Sequence, residues 1–266
     1  MLNWFMNLTY PEMALLATLF TWFVTLLGSS VVFFFKNINK TAMDAILGFA
    51  AGVMIAAAFF SLLAPSIEMS ENLNLCCWIV ASIGVILGAI LLFVGDRVFD
   101  KLEKKKNSKN TSSLKRCSML IFSITLHNIP EGLAVGVAFG SLKYGLDGAT
   151  LSSSCMLALG IGLQNFPEGM SISLPLRREN ISRKKAFFYG QLSGIVEPIS
   201  GLIGAILVIK IRTLLPYLLA FAAGAMIYVV VEELIPESQT NKKKDFMAFC
   251  TLIGFVVMMI MDLALG

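Results

Sequence analysis

Long apolar runs separated by short charged stretches dominate the chain. Eight such runs can be drawn, at about 12–35, 42–64, 75–95, 117–140, 150–175, 186–209, 214–235 and 246–265. Each is long enough to cross a bilayer as an α-helix, which takes about 20 apolar residues. Tyr10-Pro11 opens the first run and Lys36 to Lys40 closes it; Pro65 ends the second and Asp96-Arg97 the third. Residues 96–116, dense in Lys, Ser and Asn, predict a mobile loop between the third and fourth spans. The pattern predicts an all-α integral membrane protein, one membrane domain over 1–266 with eight transmembrane helices.

Composition agrees with this. With 57% apolar and 14% charged residues, the chain is too apolar for a soluble domain. The charge distribution adds topology. Of the 21 Lys and Arg, only Lys143, Lys210 and Arg212 fall in one set of alternating loops. All the others lie in the opposite set, which the positive-inside rule places in the cytoplasm. Both termini are then expected to face outward from the inner cell membrane, and an odd number of spans would scramble the bias. The basic runs read as solvated cytoplasmic loops, with contact to anionic lipid as the lesser alternative, and not as a nucleic-acid surface. No CxxC is found among the five cysteines, so neither a disulfide framework nor a thiolate zinc site is indicated. The start has no basic n-region, and Glu12 stands in its place, so the first span is expected to be retained.

Two polar islands interrupt the fourth and fifth runs. The first is His127-Asn128-Ile129-Pro130-Glu131-Gly132 and the second is Gln164-Asn165-Phe166-Pro167-Glu168-Gly169; His127 is the single histidine of the chain. On an α-helix at about 100° per residue, Glu131 lies at about 40° from His127 and so stands between His127 and Asn128. Glu168 stands in the same way between Gln164 and Asn165. Facing helices would bring the glutamates together, with His127 and Gln164 on one side and Asn128 and Asn165 on the other. That arrangement predicts two neighbouring cation sites sharing a pair of carboxylates. Pro130 and Pro167 are expected to kink their helices and free the carbonyls of Leu126 and Leu163.

An ionised side chain at mid-bilayer costs roughly 2.5–3.5 kcal/mol on insertion scales. Glu131, Glu168 and, in the sixth run, Glu197 before Pro198 share that cost, with no Lys or Arg near them in sequence. Bound divalent cations would supply the missing charge, and protonation is the alternative. Imidazole, carboxylate and amide oxygen suit zinc and similar first-row ions, whereas copper(I) would want thiolate. Met54 in the second run is a candidate thioether ligand, with plain packing as the other reading. Glu232 and Glu233, near the cytoplasmic end of the seventh run, and Asp262, near the outer end of the eighth, are candidate pathway residues or ordinary surface positions.

These motifs resemble the ZIP family of zinc and iron permeases, and its bacterial GufA-like branch in particular. The resemblance rests on both islands, on Glu197-Pro198, on Gly48 to Pro65 and on Met226 to Pro236, and it covers nearly the whole chain. It implies a ZIP fold in a 3+2+3 arrangement, with spans one to three related to six to eight by an inverted repeat. It also implies a two-metal site of His127, Asn128, Glu131, Gln164, Asn165, Glu168 and Glu197, with Met54 as a further ligand. The cargo implied is Zn2+ or a related divalent cation (Cd2+, Fe2+, Mn2+), with no organic cofactor. Transport toward the cytosol, a homodimer in the lipid bilayer, and an elevator-like shift of spans one, four, five and six are implied too. The chain departs from many relatives in carrying Gln164 where they carry a second histidine. It also has no histidine in the long cytoplasmic loop.

Two other classes share part of this pattern. An intramembrane metalloprotease would want HExxH, whereas Asn128 follows His127 and there is no second histidine. A proton-linked carrier of a non-metal solute would use the same carboxylates as a relay.

Overall fold

The computed structural model describes residues 5–34, 40–104, 111–145, 149–178 and 181–265. Among them every regular element is helical, and the elements join into eight rods. The first is α1 (Tyr10–Ser30), extended by a 3-10 turn over Val31–Phe33. Thr9 and Glu12 close its start as a capping box, with the Thr9 amide donating to Glu12 Oε2 at 2.7 Å. The second rod joins α2 (Lys40–Ala57), a π-helical turn (Ala58–Leu63) and α3 (Ala64–Asn72). The third to fifth are α4 (Cys77–Lys104), α5 (Thr111–Leu142) and α6 (Leu151–Arg178). The sixth joins α7 (Arg183–Leu192), a 3-10 turn (Ser193–Ile195) and α8 (Val196–Ile206). The seventh joins α9 (Val208–Val229), a second π-helical turn (Val230–Leu234) and α10 (Ile235–Ser238), and α11 (Lys244–Leu265) is the eighth.

Five rods are long and apolar enough to cross a membrane on composition alone: the first, second, third, seventh and eighth. The other three carry the islands and Glu197. Their polar residues point inward, so the lowered hydropathy reflects what they surround. Large apolar side chains cover the exterior, among them Trp78, Ile86 and Ile90 on α4 and Phe249, Leu252 and Ile260 on α11. Such faces fit hydrocarbon, not water.

The packing follows a pseudo-two-fold pattern. α1 packs along α6, and α5 along α8; α4 packs along α9, and α11 along α2. Exchanging rods one with six, two with seven, three with eight and four with five maps this set of contacts onto itself. The repeat that the family resemblance implies is thus visible in which rods touch. It is visible again in the π-helical turns, which sit just before Pro65 in rod two and just before Pro236 in rod seven.

Close rod contacts rest on glycines. A Cβ on Gly52 of α2 would run into the Thr251 carbonyl oxygen of α11, and one on Gly88 of α4 into that of Phe221. Small residues of this kind let membrane helices approach where apolar burial gives no driving force. Gly52→Ala is therefore expected to lower the thermal midpoint in detergent sharply, since overpacking costs about 1–3 kcal/mol or more. Gly160→Ala, where nothing lies within 4 Å, is expected to be neutral or mildly stabilising. Equal midpoints for the two variants would contradict this account of the packing.

One feature differs from the sequence expectation, and two others bear on it. The stretch expected to be a loop over 96–116 is largely helical: α4 runs to Lys104 and α5 starts at Thr111. Lys and Glu are good helix formers, so charge ended the apolar run without ending the helix. Residues 105–110, and with them the expected mobility, lie outside the described residues. α5 and α6 run through Pro130 and Pro167 without interruption. The irregular backbone sits instead in the two π-helical turns.

Candidate metal centre

α5 and α6 cross at the islands and turn both sets of polar residues inward. His127, Asn128, Glu131, Gln164, Asn165, Glu168 and Glu197 are all buried, none more than 1% exposed. His127 and Glu131 are four apart on α5, so they share a face, and His127 Nε2 lies 3.1 Å from Glu131 Oε1. The same nitrogen lies 3.0 Å from Glu168 Oε1 across on α6. Gln164 Nε2 donates to Glu131 Oε1 in return. Each island thus reaches the other's carboxylate, one through imidazole and one through an amide. Ligand atoms of His127, Glu131 and Glu168 all lie within 4.8 Å of one another.

The asparagine side is built differently. Asn165 Nδ2 donates to both oxygens of Glu197, at 2.9 Å each, and reaches the Thr21 carbonyl at 3.2 Å. Thr21 Oγ1 donates to Glu197 Oε2. Asn128 Nδ2 donates to the Ser193 carbonyl at 3.0 Å, in the 3-10 turn before α8. Both asparagines therefore spend their N–H groups on a neighbouring rod. α5 and α6 stay helical through Pro130 and Pro167. Gly132 and Gly169 admit the partner rods: a Cβ on the first would meet Ser200 and Glu197, and one on the second would meet the Thr25 carbonyl.

Five buried atoms at the centre have no hydrogen-bond partner: His127 Nδ1, Asn128 Oδ1, Glu131 Oε2, Asn165 Oδ1 and Glu168 Oε2. Buried polar atoms are nearly always paired, so such a cluster requires an explanation. Four of the five are oxygens, and an unprotonated imidazole nitrogen is also an electron-pair donor. Among the described residues, His127 is the one positively chargeable side chain paired with these carboxylates.

The remaining sequence candidates fall elsewhere. Met54 is fully buried in the apolar core, with Leu126 and Ile129 of the first island packed at the margin of the same cluster. Glu232 is exposed and Glu233 half-buried on the second π-helical turn, near Tyr228, Asp96 and Arg97. Asp262 is half-buried and connected to the centre: Ser61 Oγ stands 2.9 Å from Asp262 Oδ1 and 2.7 Å from Gln164 Oε1. Sequence reasoning missed Ser61 and Thr21. Ser61 is a lone hydroxyl in an apolar run, seven residues after Met54, and that spacing was the available signal. Thr21 gave none, since threonines in membrane helices usually bond back to their own turn, as Thr18 does to the Ala14 carbonyl at 2.8 Å.

Two adjoining cavities reach this centre. One, of about 270 Å³, extends from Glu131 past Ala134 and Ala138 to Ser141 and Arg212. The other, of about 410 Å³, touches Gln164, Ser61 and Asp262. They share Ser61, Pro65, Ser153, Leu157 and Ile161. The first is lined at one end by Ser141, Ala149 and Arg212, beside the stretches poor in basic residues.

Such a fold and centre define a class: a helical multi-pass membrane protein with a buried donor cluster bordered by cavities. The chain matches the sequence profile of the ZIP Zinc transporter family over residues 12–118 and 100–262. It is 39% identical to zinc transporter ZIP11 of Xenopus tropicalis, covering 95% of this chain and 97% of that protein. It is 34% identical to zinc transporter GufA of Myxococcus xanthus, over 95% of this chain and 98% of that protein. With zinc transporter ZIPB of Bordetella bronchiseptica the identity is 32%, over 91% and 78%. The chain belongs to the ZIP family, a family of membrane transporters and not of enzymes.

Proposed function

We propose that this protein carries divalent transition-metal cations, zinc foremost, across the inner membrane into the cytoplasm by alternating access. Two adjacent sites share Glu131 and Glu168. His127 and Gln164 complete one, with Met54 as a further ligand; Asn128, Asn165 and Glu197 complete the other. The observation that carries this reading is the set of five buried, unpartnered donor atoms around carboxylates that, among the described residues, pair with no lysine or arginine. Removing carboxylates from water costs several kcal/mol each unless they are compensated. A divalent cation compensates two at once and leaves again.

Geometry supports a small ion. Two ligand atoms held about 2.1 Å from a tetrahedral zinc are about 3.4 Å apart. His127 Nε2 lies 3.1 and 3.0 Å from the two glutamate oxygens, so a modest spreading admits the ion. Entry is through the cavities on the basic-poor face, which the positive-inside rule makes the outside. Asp262, Ser61 and Gln164 line the approach, and Glu232 and Glu233 stand toward the opposite exit. Rods one, four, five and six enclose the centre and move together against rods two, three, seven and eight, within a homodimer. This carries the centre from one face to the other. Because histidine and carboxylate bind metal only when deprotonated, proton uptake at the inner face aids release.

Uptake of zinc into proteoliposomes, with elemental analysis of the purified protein, tests the reading. The expected result is saturable uptake, competition by cadmium, and protein-bound zinc. Transport with no metal bound to the protein, and no zinc flux, would instead support a carrier of a non-metal solute.

A further inference from the structure

α1 supplies none of the ligands proposed above, yet Thr21 on it bonds to two of them. Thr21 is fully buried and reaches two partners with two different atoms. Its hydroxyl donates to Glu197 Oε2, and its carbonyl accepts from Asn165 Nδ2 at 3.2 Å. The hydroxyl has one proton and a second acceptor within reach, the Thr18 carbonyl at 2.9 Å. Hydrogen bonds to ionised acceptors are roughly twice as strong as neutral ones, so the carboxylate is the preferred acceptor.

We propose that Thr21 is a positioning residue for the cation: it fixes Glu197 and the Asn165 amide so that Asn165 Oδ1 faces the centre. The inference rests on the transport reading given above. It follows from counting donors. The Asn165 NH2 group has three acceptors around it, the two Glu197 oxygens and the Thr21 carbonyl. With all three on one side, the amide has one orientation, and its oxygen is left as a buried atom without a partner. Losing the Thr21 hydroxyl frees Glu197 to rotate, and the amide turns with it.

Comparison with the pseudo-symmetric position isolates the hydroxyl. Asn128 donates to the Ser193 carbonyl as Asn165 does to that of Thr21, so the two backbone contacts mirror each other. Ser193 Oγ, however, bonds back to the Gly190 carbonyl at 2.9 Å, within its own turn. Only the Thr21 hydroxyl of this pair is directed at a carboxylate. The backbone contact belongs to the repeat; the side-chain contact belongs to the half that carries Glu197.

Zinc uptake by the full-length protein in proteoliposomes tests this, with Thr21→Val, Thr21→Ser, Asn165→Ala and the Thr21→Val, Asn165→Ala double variant. Thr21→Val keeps the shape and removes the hydroxyl; it is expected to raise the KM for zinc about tenfold with the maximal rate within about twofold. Thr21→Ser, which keeps the hydroxyl, is expected to restore KM to within about twofold of the parent. In the Asn165→Ala background, Thr21→Val should add nothing, because it acts through that amide. A parental KM in Thr21→Val, a Thr21→Ser as impaired as Thr21→Val, or an undiminished tenfold cost in the Asn165→Ala background would each overturn the inference. Loss of both central glutamates separates this failure from failure of the transport reading. If Glu131→Ala, Glu168→Ala transports normally the reading itself falls; if it is inactive while Thr21→Val is normal, only the role of Thr21 falls.

Discussion

Replacing Glu131 and Glu168 together by alanine is expected to reduce zinc uptake to that of protein-free liposomes, a loss of at least about 100-fold. Both glutamates offer an unpartnered buried oxygen, and both are shared between the two proposed sites. His127 would lose both partners at 3.0 and 3.1 Å in the same variant. Its fold should survive, because the apolar core and the glycine contacts are untouched, and a buried charge requiring compensation disappears. Tracer uptake read beside monodispersity in detergent checks both halves of the statement. Parental flux from this variant would end the metal reading.

Filling the approach is the second change of large expected effect. Ala134 and Ala138 lie three and seven positions beyond Glu131 and line the 270 Å³ cavity with it. Both are half-buried, so a larger side chain enters the cavity and not the packed core. Ala138→Phe is expected to cut uptake at least about tenfold while the thermal midpoint stays within a few degrees of the parent, since surface-accessible space takes added volume at little cost. The same substitution at Gly136 is a contrast: a Cβ there would meet the Gly201 carbonyl, and the protein should fail to fold. Undiminished flux in Ala138→Phe would show that ions enter by another route.

Much of the centre could be read from the chain because its spacing is local. His127 to Glu131 and Gln164 to Glu168 are one helical turn each, and helical phase alone put the glutamates between their neighbours. The link from Asn165 to Glu197 was also foreseeable, since a carboxylate in an apolar run needs a polar partner. What phase could not supply was the identity of cross-rod partners. Thr21, Ser61 and Ser193 contribute a hydroxyl or a carbonyl from three other rods, and apart from the spacing of Ser61 from Met54 nothing local marks which of many such groups faces inward. Rod ends were misplaced for a related reason. At Lys104 the apolar pattern reports where hydrocarbon stops, whereas the helix continues on backbone hydrogen bonding. The prolines were legible as a local chemical fact: α5 and α6 stay helical through them, while each denies an N–H to the carbonyl four residues back.

The wide turns at Ala58–Leu63 and Val230–Leu234 have a consequence for what the chain tolerates. A π-type turn holds one residue more than an α-type turn. That surplus sets the angular phase between the two ends of its rod. Deleting a single residue there would swing everything beyond it by about 100°, carrying Pro65 away from the vestibule and, in the mirrored rod, Ser238 away from the Asp44 carbonyl it bonds at 2.8 Å. Loops between rods can lengthen or shorten without reaching the centre; these two turns act as fixed spacers whose residue count is part of the machine.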